Sequence, residues 1–338
     1  MLVCSFFIWG SFLVFNKLTI GRFYILLESL MKMQGILSNQ LDYQNEFKQY
    51  LNTQSKFLEY LHKNKSKKEV LSDEAFRKLY NEITKQGKLS IVCKNVSFKY
   101  PNESHFALKN FTYEFEPFKT YVIVGRNGAG KTTLFKLLIG IYEPSEGNLF
   151  INGMDVKTLS VKQRSELFTV LFQNPNKYPL SLAENIKIGA IENEWDVKKW
   201  KETFYDQTLP QYIESLPNRW ESRIGTIEKK TTGLSGGQWQ KLFMGRVTFS
   251  KAPIMILDEP TASMDPLSEF NLYKAFEENL NRNINMIISH RLGVVKFSDK
   301  ILVLKEGELI QEGKHEKLLG MEGEYRELYE AQKEMYKK

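Results

Sequence analysis

The sequence has few cysteines, no internal repeat and no low-complexity tract. Only Cys4 and Cys93 are present among its 338 residues, and they lie far apart along the chain. Two isolated cysteines cannot form a disulfide framework or supply a metal-ligand cluster. The sequence therefore excludes a small disulfide-stapled domain and favours a reducing, cytosol-facing compartment.

No uninterrupted hydrophobic run is as long as a complete membrane-spanning helix. Residues 1–15 carry no charge, but a helix needs about 20 apolar residues to cross a bilayer. A second apolar stretch, residues 20–37, is interrupted by Arg22, Glu28 and Lys32. No positively charged segment precedes the first stretch, so a signal peptide is not indicated. The pattern predicts truncated spans, or buried or interfacial segments.

Charge alone does not identify a partner. The net charge is +7, 26% of the residues are charged and 42% are hydrophobic. This composition can build a core, and its positive charge fits nucleic acid, an anionic membrane surface or a solvated exterior. We favour the solvated exterior and expect no nucleic-acid partner.

The chain changes character near residue 88. Apolar residues recur at helical spacing over residues 36–61, which predicts an amphipathic helix, and a basic run follows at residues 62–68. That run fits either a membrane-flanking patch or a solvated linker. From Lys88 onward, short β-rich runs alternate with helical patterns. We expect an N-terminal region over residues 1–87 and an α/β domain over residues 88–338.

A glycine-rich loop is the first feature that indicates chemistry. Residues 120–124 read as a buried strand, and a helical pattern follows the loop. Glycines let backbone N–H groups approach phosphate oxygens, and a helix N-terminus favours negative charge. Lys131 would reach the β- and γ-phosphates of ATP, and the Thr132 hydroxyl would bind Mg²⁺. The predicted nucleotide-binding residues here are Gly125, Asn127, Gly128, Ala129, Gly130, Lys131, Thr132 and Thr133.

A second predicted strand ends in two carboxylates. Residues 254–257 are apolar, and Asp258 and Glu259 follow them directly. A buried parallel strand delivers side chains to the carboxyl edge of its sheet. We expect Asp258 to hold Mg²⁺ through water and Glu259 to act as general base or to orient the attacking water.

A five-residue motif lies before that strand and consists of Leu234, Ser235, Gly236, Gly237 and Gln238. Its position between the glycine-rich loop and the acidic strand is significant. With these three motifs in this order, the sequence resembles the ATP-binding cassette (ABC) family. The resemblance implies a P-loop cassette with a mixed β core and a helical subdomain at about residues 174–250.

The resemblance assigns further residues. Tyr100 stands where the family stacks an aromatic ring on adenine, and Gln173 stands at its lid glutamine, which also implies a metal contact. His290 stands at the family's switch histidine and, with Glu259 and Gln173, is expected to take part in catalysis. Asp265 falls in a loop that reaches across a dimer in the family.

The family also implies partners. Two cassettes close head to tail, so that ATP lies between the phosphate loop of one and the signature motif, Ser235, Gly236, Gly237 and Gln238, of the other. Residues before 88 resemble the last membrane helices of a bacterial peptide, bacteriocin or multidrug exporter. We therefore expect ATP-driven export, a second cassette, a membrane-spanning partner, and a place at the cytoplasmic membrane with the ATPase on its cytoplasmic side. The alternatives are a soluble ABC ATPase and a truncated fragment that does not transport.

Overall fold

The computed structural model describes residues 70–189, 208–224, 233–261, 266–279, 283–291 and 293–335, together with residues 28, 29, 31–33, 196, 198 and 264. The chain divides into two compact units, Met1–Lys68 and Glu69–Lys338. The apolar residues 1–15, the amphipathic pattern of residues 36–61 and the basic run lie outside the described residues. Among the residues that the structure describes, no helix combines the length and hydropathy that a membrane crossing requires.

The second unit alternates strands and helices. The strands are β1 (Ile91–Phe98), β2 (Leu108–Phe115), β3 (Lys119–Val124), β4 (Glu146–Ile151), β5 (Met154–Asp155), β6 (Phe168–Leu171), β7 (Ile254–Asp258), β8 (Ile284–Ile288), β9 (Lys300–Lys305) and β10 (Glu308–Gly313). The α-helices are α1 (Asp73–Gln86), α2 (Lys131–Leu138), α3 (Val161–Leu167), α4 (Leu182–Lys187), α5 (Thr208–Glu214), α6 (Gly236–Phe249), α7 (Pro266–Asn279), α8 (His315–Leu319) and α9 (Glu324–Met335).

The strands form two sheets. One has the order β2-β1-β4-β5 and is antiparallel. The other has the order β10-β9-β3-β8-β7-β6, in which only the edge strand β10 pairs antiparallel. The carboxyl ends of β3 and β7 therefore lie at the same edge of this sheet, with β8 between them.

The six-stranded sheet is buried on both faces, because its strands alternate their side chains between two hydrophobic clusters. Tyr121 and Ile123 of β3 pack in one cluster, whereas Val122 and Val124 pack in the other. Continuous apolar runs are the expected sequence of such a doubly covered parallel strand. The predicted strands at residues 120–124 and 254–257 are present as β3 and β7.

Helix α1 packs in the core of the second unit. Ser72 caps its start by accepting a hydrogen bond from Ala75 N, and Gly87 ends it in the left-handed conformation. Its Phe76, Leu79 and Ile83 are buried in the cluster that holds Tyr121. The second unit thus begins before Lys88, the residue at which the sequence texture changes.

Candidate active site

The glycine-rich loop connects β3 to α2, and backbone from other parts of the chain packs closely against it. A Cβ atom at Gly125 would lie 2.2 Å from the carbonyl oxygen of Leu304 in β9. A Cβ atom at Gly130, where φ is +97°, would lie 2.5 Å from the carbonyl oxygen of Ala107. Glycine is required at both positions because neighbouring backbone occupies the space of a side chain. The loop is thereby fixed at the carboxyl edge of the sheet.

Lys131 places its ammonium group at the centre of this loop. Its Nζ donates hydrogen bonds to the carbonyl oxygens of Gly125 at 2.8 Å and Arg126 at 2.9 Å. Burial lowers the pKa of the ammonium group, and the carboxylates of Glu259 and Asp258 oppose that shift. The positive charge thus faces the two acidic residues that follow β7.

Thr132 and Asp258 are in direct contact. The Thr132 hydroxyl donates a hydrogen bond of 3.0 Å to Oδ2 of Asp258, so the first turn of α2 meets the end of β7. Burial raises the pKa of Asp258, and the bond from Thr132 partly offsets this shift. A hydroxyl beside a carboxylate is a set of oxygen donors that suits Mg²⁺, which takes one or two protein ligands plus substrate phosphates.

Glu259 is held at both carboxylate oxygens. Gln173 Nε2 donates to Oε2 at 2.7 Å, and Nδ1 of His290 lies 3.0 Å from Oε1. The backbone of Glu259 has φ of +51°, in the left-handed region, and its N–H donates to Ile288 O of β8 at 2.9 Å. The next carbonyl, that of Pro260, accepts a hydrogen bond from Gln240 of α6. Such strain persists only where neighbours over-determine it, so several elements fix this carboxylate.

Tyr100 lies in an aromatic cluster at the other side of the loop. Its ring makes edge contacts with Phe98 and Tyr142, and its hydroxyl lies 3.1 Å from the hydroxyl of Thr133. The Lys136 ammonium lies 5.6 Å from its ring centre. The ring is therefore oriented by packing and by a direct link to the first turn of α2.

One cavity joins most of the predicted site residues. It has a volume of about 640 Å³ and is lined by Tyr100, Asn127, Gly128, Ala129, Gly130, Lys131, Thr132, Thr133, Gln173 and Glu259. Glu103, His105, Phe106, Ala107, Lys109 and Glu306 complete its lining. No sequence motif marks this second group, because the fold alone brings these residues to the cavity.

The signature residues do not line that cavity. Ser235 and Gln238 form a capping box at the start of α6, with hydrogen bonds of 2.8 Å and 3.2 Å between them. Gly236 instead borders a separate cavity of about 230 Å³ that Gln173 and Glu259 also line. A Cβ atom added at Gly236 or Gly237 would meet no heavy atom within 4 Å. The exposed helix start thus lies outside the phosphate-loop cavity of its own chain, and Asp265 lies outside the described residues.

A protein-family model described as ABC transporter matches residues 108–262. The match includes the glycine-rich loop, the signature residues, Asp258 and Glu259. The chain carries an ABC transporter ATP-binding domain. The family resemblance expected from the three motifs is confirmed, and the family consists of ATPases coupled to transport.

Curated relatives of this ABC domain include proteins named for subtilin transport, for nisin transport and as lipid A-core flippases. The subtilin transport ATP-binding protein SpaT of Bacillus subtilis is 36% identical over 73% of the chain and 40% of the relative. The nisin transport ATP-binding protein NisT of Lactococcus lactis is 35% identical over 73% of the chain and 41% of the relative. An ATP-dependent lipid A-core flippase of Methylobacillus flagellatus is 35% identical over 72% of the chain and 41% of the relative.

A solved structure has the same fold. A bacterial Atm1-family ABC exporter with ATP bound superposes with a TM-score of 0.66 and 27% identity, over 72% of the chain and 42% of the exporter. The predicted P-loop cassette is confirmed. The matched part of the chain spans about two fifths of the length of each of these relatives.

Proposed function

We propose that the chain binds and hydrolyses ATP as one half of a cassette dimer, and that this reaction drives export of a peptide or drug-like substrate. The observation that carries the proposal is the convergence of Lys131, the Thr132–Asp258 pair and a doubly held Glu259 at one cavity. These groups supply the charge stabilisation and the water positioning that phosphoryl transfer requires.

Nucleotide binding is assigned to the loop and to Tyr100. The proposed contacts to phosphate come from the backbone of Gly125, Asn127, Gly128, Ala129, Gly130 and Thr133 and from the Lys131 ammonium group. Tyr100 would stack on adenine, since its ring borders the cavity and is held by Phe98 and Tyr142. When bound, Mg²⁺ would neutralise charge on the β- and γ-phosphate oxygens, and Thr132, Gln173 and Asp258 would hold it, Asp258 through water.

Hydrolysis is assigned to Glu259. A water oxygen forms a bond to the γ-phosphorus, the bond to the β,γ-bridging oxygen breaks, and ADP and phosphate leave. Glu259 orients this water and accepts its proton. Gln173 and His290 act on the same carboxylate, and they fix its direction because each contacts a different oxygen.

A second cassette completes the site. Ser235, Gly236, Gly237 and Gln238 start a 14-residue helix and do not line the cavity of their own phosphate loop. The N–H groups of a helix start bind anions, so they can act on the γ-phosphate of a partner. Asp265 belongs to the loop proposed to reach across the dimer, which is a homodimer or a heterodimer.

Transport requires membrane-spanning helices in addition to the cassette. We propose that residues 1–87 are the end of an exporter membrane domain with its linker, whose helix α1 packs into the core of the cassette, and that residues 88–338 are the cassette, with a helical subdomain at about residues 174–250. A membrane-spanning subunit or domain would anchor the protein at the cytoplasmic membrane with the cassette on the cytoplasmic side. The relatives that transport subtilin and nisin support a peptide cargo.

The first experiment compares ATP hydrolysis by the wild type, Glu259→Gln and Glu146→Gln. Glu146 is exposed at the start of β4 and serves as the matched control. We expect Glu259→Gln to lower turnover by about 10²- to 10⁴-fold, the range of general base catalysis, while Glu146→Gln retains it. Equal turnover by all three proteins would contradict the assignment.

The second experiment tests coupling to transport. Cells that express the tagged chain are separated into membrane and soluble fractions, and bound proteins are recovered after cross-linking. Recovery in the membrane fraction with a membrane-spanning partner supports export. A purely soluble chain without such a partner would favour a soluble ABC ATPase or a fragment that does not transport.

A further inference from the structure

The C-terminal helix α9 is tied to the phosphate loop through Arg126. The Arg126 carbonyl oxygen accepts hydrogen bonds from Lys131 Nζ at 2.9 Å and from Ala129 N at 3.1 Å. Its side chain leaves the loop and pairs with two carboxylates of α9. Arg126 Nε contacts Glu324 Oε1, and Nη2 contacts Glu327 Oε2 at 3.1 Å. The backbone that holds Lys131 is thus continuous with a residue anchored outside the loop.

The two carboxylates differ in burial. The Glu324 side chain is 2% exposed, whereas that of Glu327 is 65% exposed. Glu324 Oε2 also lies 2.8 Å from Nζ of Lys305, the last residue of β9. A buried carboxylate is costly unless it is paired, and an exposed ion pair contributes little. Glu324 therefore joins Arg126 to the strand whose Leu304 carbonyl packs against Gly125.

Helix α9 is itself firmly docked. Tyr325 is fully buried, its N–H donates to Oε1 of Gln311 at 3.1 Å, and its hydroxyl lies 2.6 Å from Nδ1 of His315. Further along the helix, Gln332 donates a hydrogen bond to the carbonyl oxygen of His290. The helix therefore contacts the segments that carry both Lys131 and the switch histidine. A functional group is held well when its supporting residues are themselves locked by packing.

We propose that Glu324 is a positioning residue for ATP binding, which acts through Arg126 on the phosphate loop. This inference rests on the proposed function. Glu324 fixes the guanidinium group, and Arg126 in turn fixes the carbonyl groups that orient the Lys131 ammonium group. Without the Glu324 charge, the Arg126 side chain is no longer fixed and the carbonyl groups of Gly125 and Arg126 are held less firmly. ATP binding is then weaker, although no group that contacts ATP has been removed.

The test measures the equilibrium binding of MgATP to the full chain by titration calorimetry. We expect Glu324→Gln to raise the dissociation constant by roughly 3- to 30-fold, as is usual for coupled residues in contact. Glu330→Gln is the matched control, because Glu330 lies on the same helix and pairs with Arg326 on an exposed face. It should leave binding unchanged.

A double-mutant cycle separates positioning from general destabilisation. We expect Glu324→Gln to have no further effect on ATP binding in an Arg126→Met background, because the link is already broken. An equal effect in both backgrounds would assign the loss to Lys305 or to packing and would overturn the proposal. Unchanged binding by a folded Glu324→Gln variant would also overturn it.

Two further variants cover the case in which Glu324→Gln does not fold. Glu327→Gln removes an exposed carboxylate that contacts the same guanidinium group. It should change ATP binding little, because an exposed ion pair contributes little, whereas Arg126→Met, which breaks the same link from the other side, should weaken binding; unchanged binding by Arg126→Met would overturn the proposal. Failure of the wild type to bind ATP would instead contradict the proposed function, so the two failures are distinguishable.

Discussion

The imidazole Nδ1 of His290 lies 3.0 Å from Oε1 of Glu259, while Gln173 holds the other carboxylate oxygen at 2.7 Å. His290 follows β8 and Glu259 follows β7, and these strands are parallel neighbours. The contact is therefore a direct product of sheet order. It makes His290 a group that acts through Glu259 in the proposed reaction.

Replacement of His290 by alanine is expected to lower the turnover number on the order of 100-fold, with little change in the KM for ATP. The reason is that His290 orients Glu259 and does not line the nucleotide cavity. Steady-state kinetics measure both constants. In a Glu259→Gln background the same change should add little, because residues that act as a unit are not additive. A full additional loss there would contradict a shared role.

Gly236→Ala tests whether the signature serves another chain. Its Cβ would meet no atom of this chain within 4 Å, and φ is not positive there. Alanine also favours helices more than glycine does. We expect unchanged or higher thermal stability and unchanged ATP binding, but greatly reduced hydrolysis. Gly320→Ala is the control, because a Cβ atom at Gly320 would make ordinary van der Waals contacts at 3.5 Å and 3.6 Å. Normal hydrolysis by Gly236→Ala would argue against a phosphate contact from this helix start.

Phe76→Ala tests whether α1 is part of the folded cassette. Phe76 is 1% exposed in the core, so truncation should lower the free energy of unfolding by about 3–5 kcal/mol. Urea denaturation of the full chain measures this loss. Val161→Ala, at a position 78% exposed, should change it by less than about 0.5 kcal/mol. Similar values for the two variants would mean that α1 contributes nothing to the core.

The Glu324 pairing predicts a pH dependence of stability. Lys305 and Arg126 hold the pKa of Glu324 below its usual 4.5, while Glu327 is the other carboxylate facing Arg126. A lowered folded-state pKa adds stability that is present above the unfolded pKa and is lost as pH falls through the folded one. The difference in urea midpoint between wild type and Glu324→Gln should thus be largest near neutral pH and shrink below about pH 4. A difference independent of pH would indicate packing rather than charge.

Most residues of the candidate site were predictable from local sequence motifs. The strand, loop and helix around Lys131 could be predicted because their signals are contiguous: an apolar run, glycines and a helical pattern. The carboxylates after β7 were predictable for the same reason. Gly236 and its neighbours were predictable as a motif, and they lie outside the nucleotide cavity at the start of α6.

Long-range contacts could not be predicted in this way. Arg126 and Glu324 are 198 positions apart, and each resembles an ordinary surface charge in the sequence. The left-handed backbone of Glu259 is fixed by β8 and α6, which no local pattern reports. Residues 73–86, which form α1, fell within the expected N-terminal region of residues 1–87, because no local pattern shows that Phe76, Leu79 and Ile83 pack in the core of the second unit.

ATP is proposed to lie between two cassettes, and sedimentation of the Glu259→Gln variant is the decisive measurement of this arrangement. This variant should bind ATP without hydrolysing it, so the closed dimer should accumulate. We predict a shift from monomer to dimer on addition of MgATP, and no shift with MgADP or in a Glu259→Gln variant that also carries Lys131→Ala. A monomer at saturating MgATP would contradict the composite site.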